Sequence, residues 1–344
     1  IRRPPRSTLS SSSAASDVYK RQGLLNTAVG RLALYANTTG GYNVAVGEGA
    51  LEANTTGALN TAIGRGALQA NTIANDNVAV GAWALLANTT GTYNVGIGVS
   101  ALRNATTADG NTALGFHAGR STTTGYNNVA IGYAALVSNS TGNNNVAIGN
   151  NALDNASTAS YNTAIGYNAL TDNTTGANNT CIGESSGANI TTGGYNTCIG
   201  NTTLFTNTAS AHNTALGYAA LYYATGEKNT SVGSNSLVAL TTGQYNTAVG
   251  YAAGAALTTG SNSVAIGNGA LDAVTTGTAN IAIGHDAMGA TSTGVNYNNA
   301  FGYQAFLGNT GSNNNAFGYQ SLTGSAGNFN CAFGHETGEA LTTG

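Results

Sequence analysis

The chain has 344 residues, and only 7% of them are charged, against about 25% in an ordinary soluble domain. Five of its ten basic residues (Arg2, Arg3, Arg6, Lys20, Arg21) and both prolines lie in the first 22 positions; from Gly23 onward 5 basic residues face 12 acidic ones, a net charge of −7. That balance argues against nucleic acid or an anionic membrane as partner, since both need clustered Lys and Arg, and no apolar run approaches the roughly 18 residues that cross a bilayer.

Residues 1–22, IRRPPRSTLSSSSAASDVYKRQ, have no starting Met and no apolar core of a signal peptide. The stretch resembles translated sequencing-adapter read-through; it also reads as a basic, Ser-rich disordered tail. Either way it falls outside the fold. The other end stops in mid-repeat at Leu341-Thr342-Thr343-Gly344, so the expectation is a piece truncated at both ends.

From Gly23 the chain is one repeat. A glycine closes the block Asn43-Val44-Ala45-Val46-Gly47, and its equivalents run from Gly30 to Gly217 at a spacing of 17 residues, held eleven times. Seven more follow, at Gly233, Gly250, Gly267, Gly284, Gly302, Gly318 and Gly334, giving 19 copies. A period this short and regular marks a solenoid. Asn, Thr and Gly are poor helix formers, and so short a period leaves no room for two helices and a turn. The fold class is therefore all-β: a parallel β-solenoid of about 19 coils over residues 23–344, a rod roughly 85–90 Å long at strand spacing.

Alternation along a strand assigns the side chains. The position before the glycine is always apolar: Val29, Val46, Ile63, Val80, Ile97, Leu114, Ile131, Ile148, Ile165 and onward to Phe333. It is assigned to the core. Four residues past the glycine a second apolar column appears in 15 of 19 copies, beginning Leu34, Leu51, Leu68, Leu85 and Leu102. It predicts a second short strand facing the same narrow core. Its four exceptions, Gly119, Gly187, Gly254 and Gly338, define a repeat subtype. The small residue between the strand apolars (Ala28, Ala45, Ala62, Ala79) points away from that core. It offers either a flat packing strip for an identical neighbour or the tight second side of the same coil.

The leading Asn (Asn26, Asn43, Asn60, Asn77, Asn94) predicts a stacked amide ladder, as in cross-β assemblies. Asn54-Thr55-Thr56-Gly57 and its equivalents are turn chemistry, and Gly47 suits a positive φ. Proline is absent after residue 22, as a ladder that spends every N–H requires. Asn37, Asn54, Asn88, Asn139 and Asn173 head Asn-x-Thr/Ser triplets, which serve as turns and, in a secreted eukaryotic protein, as glycan acceptors.

Nothing in the repeats assembles catalytic chemistry. His117, His212, His285 and His335 lie on separate coils. His285 and His335 share the register just after the glycine with Tyr133, Tyr167, Tyr218, Tyr251, Tyr303 and Tyr319, which reads as exposed and variable. The Asp-bearing calcium repeat of β-rolls is missing. No cofactor or metal is implied within the coils, and the chain reads as a non-enzyme. Cys181 and Cys198, 17 apart, belong on adjacent coils, either as small replacements for Ala or as a disulfide or metal pair; the third cysteine is Cys331.

Blocks such as Asn60-Thr61-Ala62-Ile63-Gly64 and Asn262-Ser263-Val264-Ala265-Ile266-Gly267 resemble the head repeats of trimeric autotransporter adhesins, the YadA-like head, over residues 23–344. Related repeats occur in bacterial surface proteins and phage-type tail fibres. The family's head repeat is typically shorter than this one, which adds an Ala-Leu and Asn-Thr-Thr-Gly portion. The resemblance implies a left-handed roll, homotrimers, and display outside the cell, where the head adheres to extracellular matrix, glycan or another surface. No membrane insertion is expected of this segment. Two other readings stay open: a phage tail-fibre shaft, and an ice- or crystal-surface-binding solenoid built on the recurring Thr-Thr turns.

Overall fold

A computed structural model describes residues 23–291 and 294–341; residues 1–22, the proposed tail, lie outside the described residues. The protein is an all-β parallel solenoid with 19 strands of three residues each and, among the described residues, no helix. It divides into two compact units near residue 170. The first holds β1 (Thr27–Val29) through β9 (Thr163–Ile165), and the second holds β10 (Thr180–Ile182) through β19 (Cys331–Phe333).

Within each unit every strand pairs in parallel with the next, in the register the 17-residue period dictates. Thr27 sits opposite Val44, Ala28 opposite Ala45 and Val29 opposite Val46. In the second unit Cys181 sits opposite Cys198.

The predicted facing of the strands is reversed. Ala45, Ala62 and Ala79 are 0% exposed, so they form the wall of the core and offer no packing strip; Ala28, on the first coil, is half-buried. The apolars assigned to the core point outward. Val29, Ile63, Ile97 and Leu114 are exposed, Leu114 by 47%. Val46, Val80, Ile131, Ile148 and Ile165 are half-buried. The reason is the width of the coil. The Leu column fills the interior from the opposite wall, with Leu34, Leu51, Leu68 and Leu85 at 0% and Leu102 at 2% exposure. What remains opposite is a methyl's worth of space: a Cβ added at Gly96 would stand 3.3 Å from Leu85 Cγ. A core one side chain thick takes large residues from one side only.

The Leu-bearing segment is a run of turns, not the second strand expected. Asn37 N–H bonds Leu34 O within the coil, while Leu34 N–H bonds Ala50 O of the next. Such turns require left-handed residues, and Leu34, Leu51, Leu68 and Leu85 take φ between 50° and 53°. That conformation costs a non-glycine roughly 1–3 kcal/mol, offset by the ~1.5–3 kcal/mol gained on burying a Leu side chain.

This trade explains the glycine subtype. Gly119, Gly187 and Gly254 adopt the same conformation, φ 59–62°, without strain but leave the leucine's space empty. Three residues later these coils replace the usual turn Asn by Thr122, Ile190 and Leu257, all buried. Ile190 Cδ1 would lie 3.0 Å from a Cβ on Gly187. At Gly187 the space is thus refilled from the next turn; at Gly119 and Gly254 it is met by the leucine of the preceding coil, Leu102 Cδ2 and Leu237 Cδ2 lying 2.9 and 2.8 Å from an added Cβ.

The closing glycine has a separate cause. Gly47 has φ 133°, and a Cβ there would lie 2.6 Å from Gly64 O on the next coil. No side chain fits between coils that stack this closely.

Two buried amide columns tie the coils together. In the predicted one, Asn43 N–H donates to Asn26 Oδ1 (2.8 Å), Asn60 N–H to Asn43 Oδ1 (2.9 Å), Asn77 N–H to Asn60 Oδ1 (3.0 Å) and Asn94 N–H to Asn77 Oδ1 (2.9 Å). Each Nδ2 donates to a turn carbonyl, as Asn43 does to Gly57 O (2.8 Å). The second column is the turn Asn itself: Asn54 Nδ2 reaches Asn37 Oδ1 (2.9 Å) and Asn71 Nδ2 reaches Asn54 Oδ1 (2.8 Å).

Candidate functional surfaces

With the core filled by Ala and Leu, whatever distinguishes one coil from another lies outside. The broadest feature is the outward strand face. One of its columns is Val, Ile, Leu or Phe in every coil, beside a Thr/Val column (Thr27, Val44, Thr61, Val78). Rows stand ~4.8 Å apart and a three-residue strand spans about 10 Å. The nine rows of the first unit therefore present about 400 Å² of largely apolar sheet. That matches the largest apolar patch of a typical monomer, about 300–600 Å², which is often an interaction site.

Just past the closing glycine runs the register expected to be exposed and variable. Tyr133, Tyr167, Tyr218 and Tyr251 are exposed. In the second unit it becomes a column of rings: His285 stacks on Tyr303 (5.3 Å), Tyr303 on Tyr319 (5.3 Å) and Tyr319 on His335 (4.7 Å). A parallel column, Phe301–Phe317–Phe333, stacks at 4.7 and 4.6 Å on the outward strand face. The sequence placed His285, Tyr303, Tyr319 and His335 in one register; the stacking of their rings is what the structure adds. His212 stacks on Tyr195 at 5.1 Å.

Many of the turns carry two threonines in succession, as at Thr38-Thr39, Thr55-Thr56 and Thr89-Thr90. The first hydroxyl is spent on the next coil: Thr38 Oγ1 donates to Thr55 O, Thr55 Oγ1 to Thr72 O and Thr72 Oγ1 to Thr89 O, at 2.9–3.1 Å. The second, at Thr39, Thr56, Thr90, Thr107, Thr124 and Thr141, faces solvent.

One cluster breaks the repeat. Trp83, the only tryptophan in the chain, lies between two guanidiniums, with Arg65 Cζ 5.6 Å and Arg103 Cζ 5.9 Å from its ring centre. Arg103 and Arg120 occupy one register of adjacent coils, where Asn104 N–H bonds Arg120 O (3.0 Å). His117 stacks on Phe116 at 3.8 Å, and Phe116 on Tyr133 at 5.4 Å. Burial, and then the charges of Arg120 and Arg103, hold His117 below the usual imidazole value, so it is neutral at pH 7. Sequence reading passed over this cluster. The available signal was that three of the five basic residues after position 22 fall between residues 65 and 120.

Cys181 and Cys198 are buried free thiols on adjacent strands. The hydrogen bond with Cys181, and then burial, pushes the Cys198 thiol well up, so it stays protonated and inert. Cys331 is exposed. Among the described residues no three His, Cys, Asp or Glu side chains gather as a metal site, and no helix is long and apolar enough to cross a membrane. No protein-family model matches the chain, and no curated protein matches its sequence.

Proposed function

We propose that the protein is a non-enzymatic structural and adhesive module: a repeat body displayed outside the cell that packs side by side with further copies of itself, as a homotrimer of the adhesin-head type or a related fibre shaft. The observation that carries this reading is the outward column from Val29 to Ile165. Each coil turns a β-branched or otherwise bulky apolar side chain outward there, exposed or half-buried, although the interior has no use for it. Burying it against the same column of a neighbour recovers about 25 cal/mol for each Å² of apolar surface removed from water. A closed assembly repeating one surface on each chain gains avidity for any surface-bound partner, because later contacts become intramolecular.

The molar mass in solution, from light scattering after size exclusion, tests the packing. A value near three times the 34.1 kDa chain is expected. A monomer that persists at high concentration overturns the self-packing. A second reading, a solenoid binding ice or a crystal face, draws on the exposed second Thr that recurs at Thr39, Thr56, Thr90, Thr107, Thr124 and Thr141. Thermal hysteresis in freezing, absent from a Thr107→Val/Thr124→Val variant, is what it requires.

A further inference from the structure

The repeat is nearly free of cations, so their placement is informative. Of the four arginines after position 22, Arg31 and Arg65 share one carboxylate. Arg31 meets Glu48 at 2.5 Å and Arg65 meets its other oxygen at 3.9 Å. Arg103 and Arg120 have no carboxylate within ion-pair distance among the described residues. Their turns stack in register, one coil apart, and like charges held that close repel. Arg120 also carries a buried Nε–H with no acceptor, and a buried charged donor left unpaired is destabilising. Neighbouring coils show that this register does not need arginine: it is Gln69 and Leu86 on one side, Val137 on the other. Two uncompensated guanidiniums on adjacent coils, one of them with an orphaned donor, make a site complementary to an oxyanion.

The surroundings narrow the ligand. Trp83 lies under Arg65 and Arg103, and Phe116, stacked on His117 and Tyr133, extends the exposed aromatic surface beside it. Neutral His117 adds a ring N–H that carries no charge. Three cations on a body of net charge −7 are too few for a phosphate backbone, whose binding rests on many simultaneous contacts. Aromatic side chains beside forked donors suit a sugar acid, which presents apolar C–H groups next to a carboxylate or sulfate.

We infer that Arg103 and Arg120, with Arg65, Trp83 and His117 at their border, form a binding site for an anionic polysaccharide bearing carboxylate or sulfate groups. The site names a ligand class for the adhesive reading above and rests on that part of it. It does not rest on self-packing, since all five residues lie within one chain and one unit.

Trp83 is the only indole, so its emission reports on the site alone. The full chain is titrated with a sulfated glycosaminoglycan, with polygalacturonate, with neutral dextran and with free sulfate. A saturable change with one or both acidic polymers, weakened by salt, and none with dextran is expected. Arg103→Gln/Arg120→Gln should weaken the response by about tenfold or more, the loss of one or two charge-assisted hydrogen bonds. The charge-matched Arg31→Gln/Lys228→Gln should keep wild-type affinity. The melting temperature of Arg103→Gln/Arg120→Gln should not fall, because a repulsion is removed; single variants at either arginine give the same answer should the double variant misfold. An unresponsive wild type, an unaffected Arg103→Gln/Arg120→Gln variant, or equal loss in the charge-matched control overturns the site. Free sulfate saturating at the same group concentration as the polymers overturns the glycan assignment and leaves an adventitious ion only. The solution mass of the same samples separates failure of this site from failure of self-packing.

Discussion

The two sides of each strand contrast sharply. The inner column reads Ala45, Ala62, Ala79, with Gly96, Cys181, Cys198 and Ser231 as variants, all small. The outer column reads Val46, Ile63, Val80, Ile97 and Leu114, all large. Intuition puts the large apolar residues inside, and the solenoid does the opposite. A coil this short encloses so little space that the Leu column alone fills it, and the facing wall can contribute no more than a methyl or thiol. The size of a residue here reports the room on its side of the chain, and hydrophobicity by itself does not say which side that is.

The largest effect should come from charging the inner column. Ala147 is 0% exposed, and Ala147→Asp would place an unpaired carboxylate in a core one side chain thick. We expect a loss of about 5 kcal/mol or more, or failure to fold at neutral pH. The introduced group would have its pKa raised in the folded state, so the defect should shrink as pH falls and the carboxyl is protonated. Thermal melting by circular dichroism from pH 7 down to pH 4 reads both signs. A variant that melts like wild type would show that the alanines are not the inner wall.

Emptying the opposite wall should cost less. Leu153 is also 0% exposed, and Leu153→Ala should cost about 2–5 kcal/mol through lost burial and the cavity left behind. Part of that loss should return on release of strain, since Leu153 has φ 53° and Leu153→Gly can adopt it freely. Adding an isoleucine three residues beyond such a glycine, as Gly187 and Ile190 are arranged, should restore more of it. Urea denaturation of the three variants orders them; a Leu153→Gly variant that gains nothing from the downstream apolar residue would break the account of the subtype.

Much of this was legible from period and position. The 17-residue glycine spacing fixed the parallel register, which Cys181 and Cys198 bear out as strand partners. The Leu column and the Asn26-to-Asn94 column fell where the repeat put them. Facing was not legible, because alternation in Val44-Ala45-Val46 is satisfied equally with alanine in or out; only the width of the closed coil decides, and that width follows from how the turns around Leu51 bend. The turns themselves hid behind an apolar column that looked like a strand, since nothing in the letter Leu announces a left-handed backbone. The Arg103–Arg120 cluster was obscured for another reason: reading charge as a whole-chain balance averages away residues one period apart that stacking brings together.

The smallest effect on stability belongs to the outer column, and it separates the two sides most cleanly. Ile131 is half-buried on the outward face, so Ile131→Asp places its carboxylate in water when the chain is alone. The fold should lose no more than about 0.5–1 kcal/mol, the range of an exposed strand position. Assembly should respond far more, because in a side-by-side packing the same carboxylate meets its copy on the neighbour, desolvated and like-charged. The measurement pairs melting of the dilute protein with light scattering of the concentrated one. Wild-type melting together with a mass that drops toward the single chain would assign the outer column to contact between copies. Wild-type melting with an unchanged mass would leave the fold intact and move the interface elsewhere. A collapse in melting of the dilute chain, comparable to that of Ala147→Asp, would mean that the outer column is buried in the coil after all.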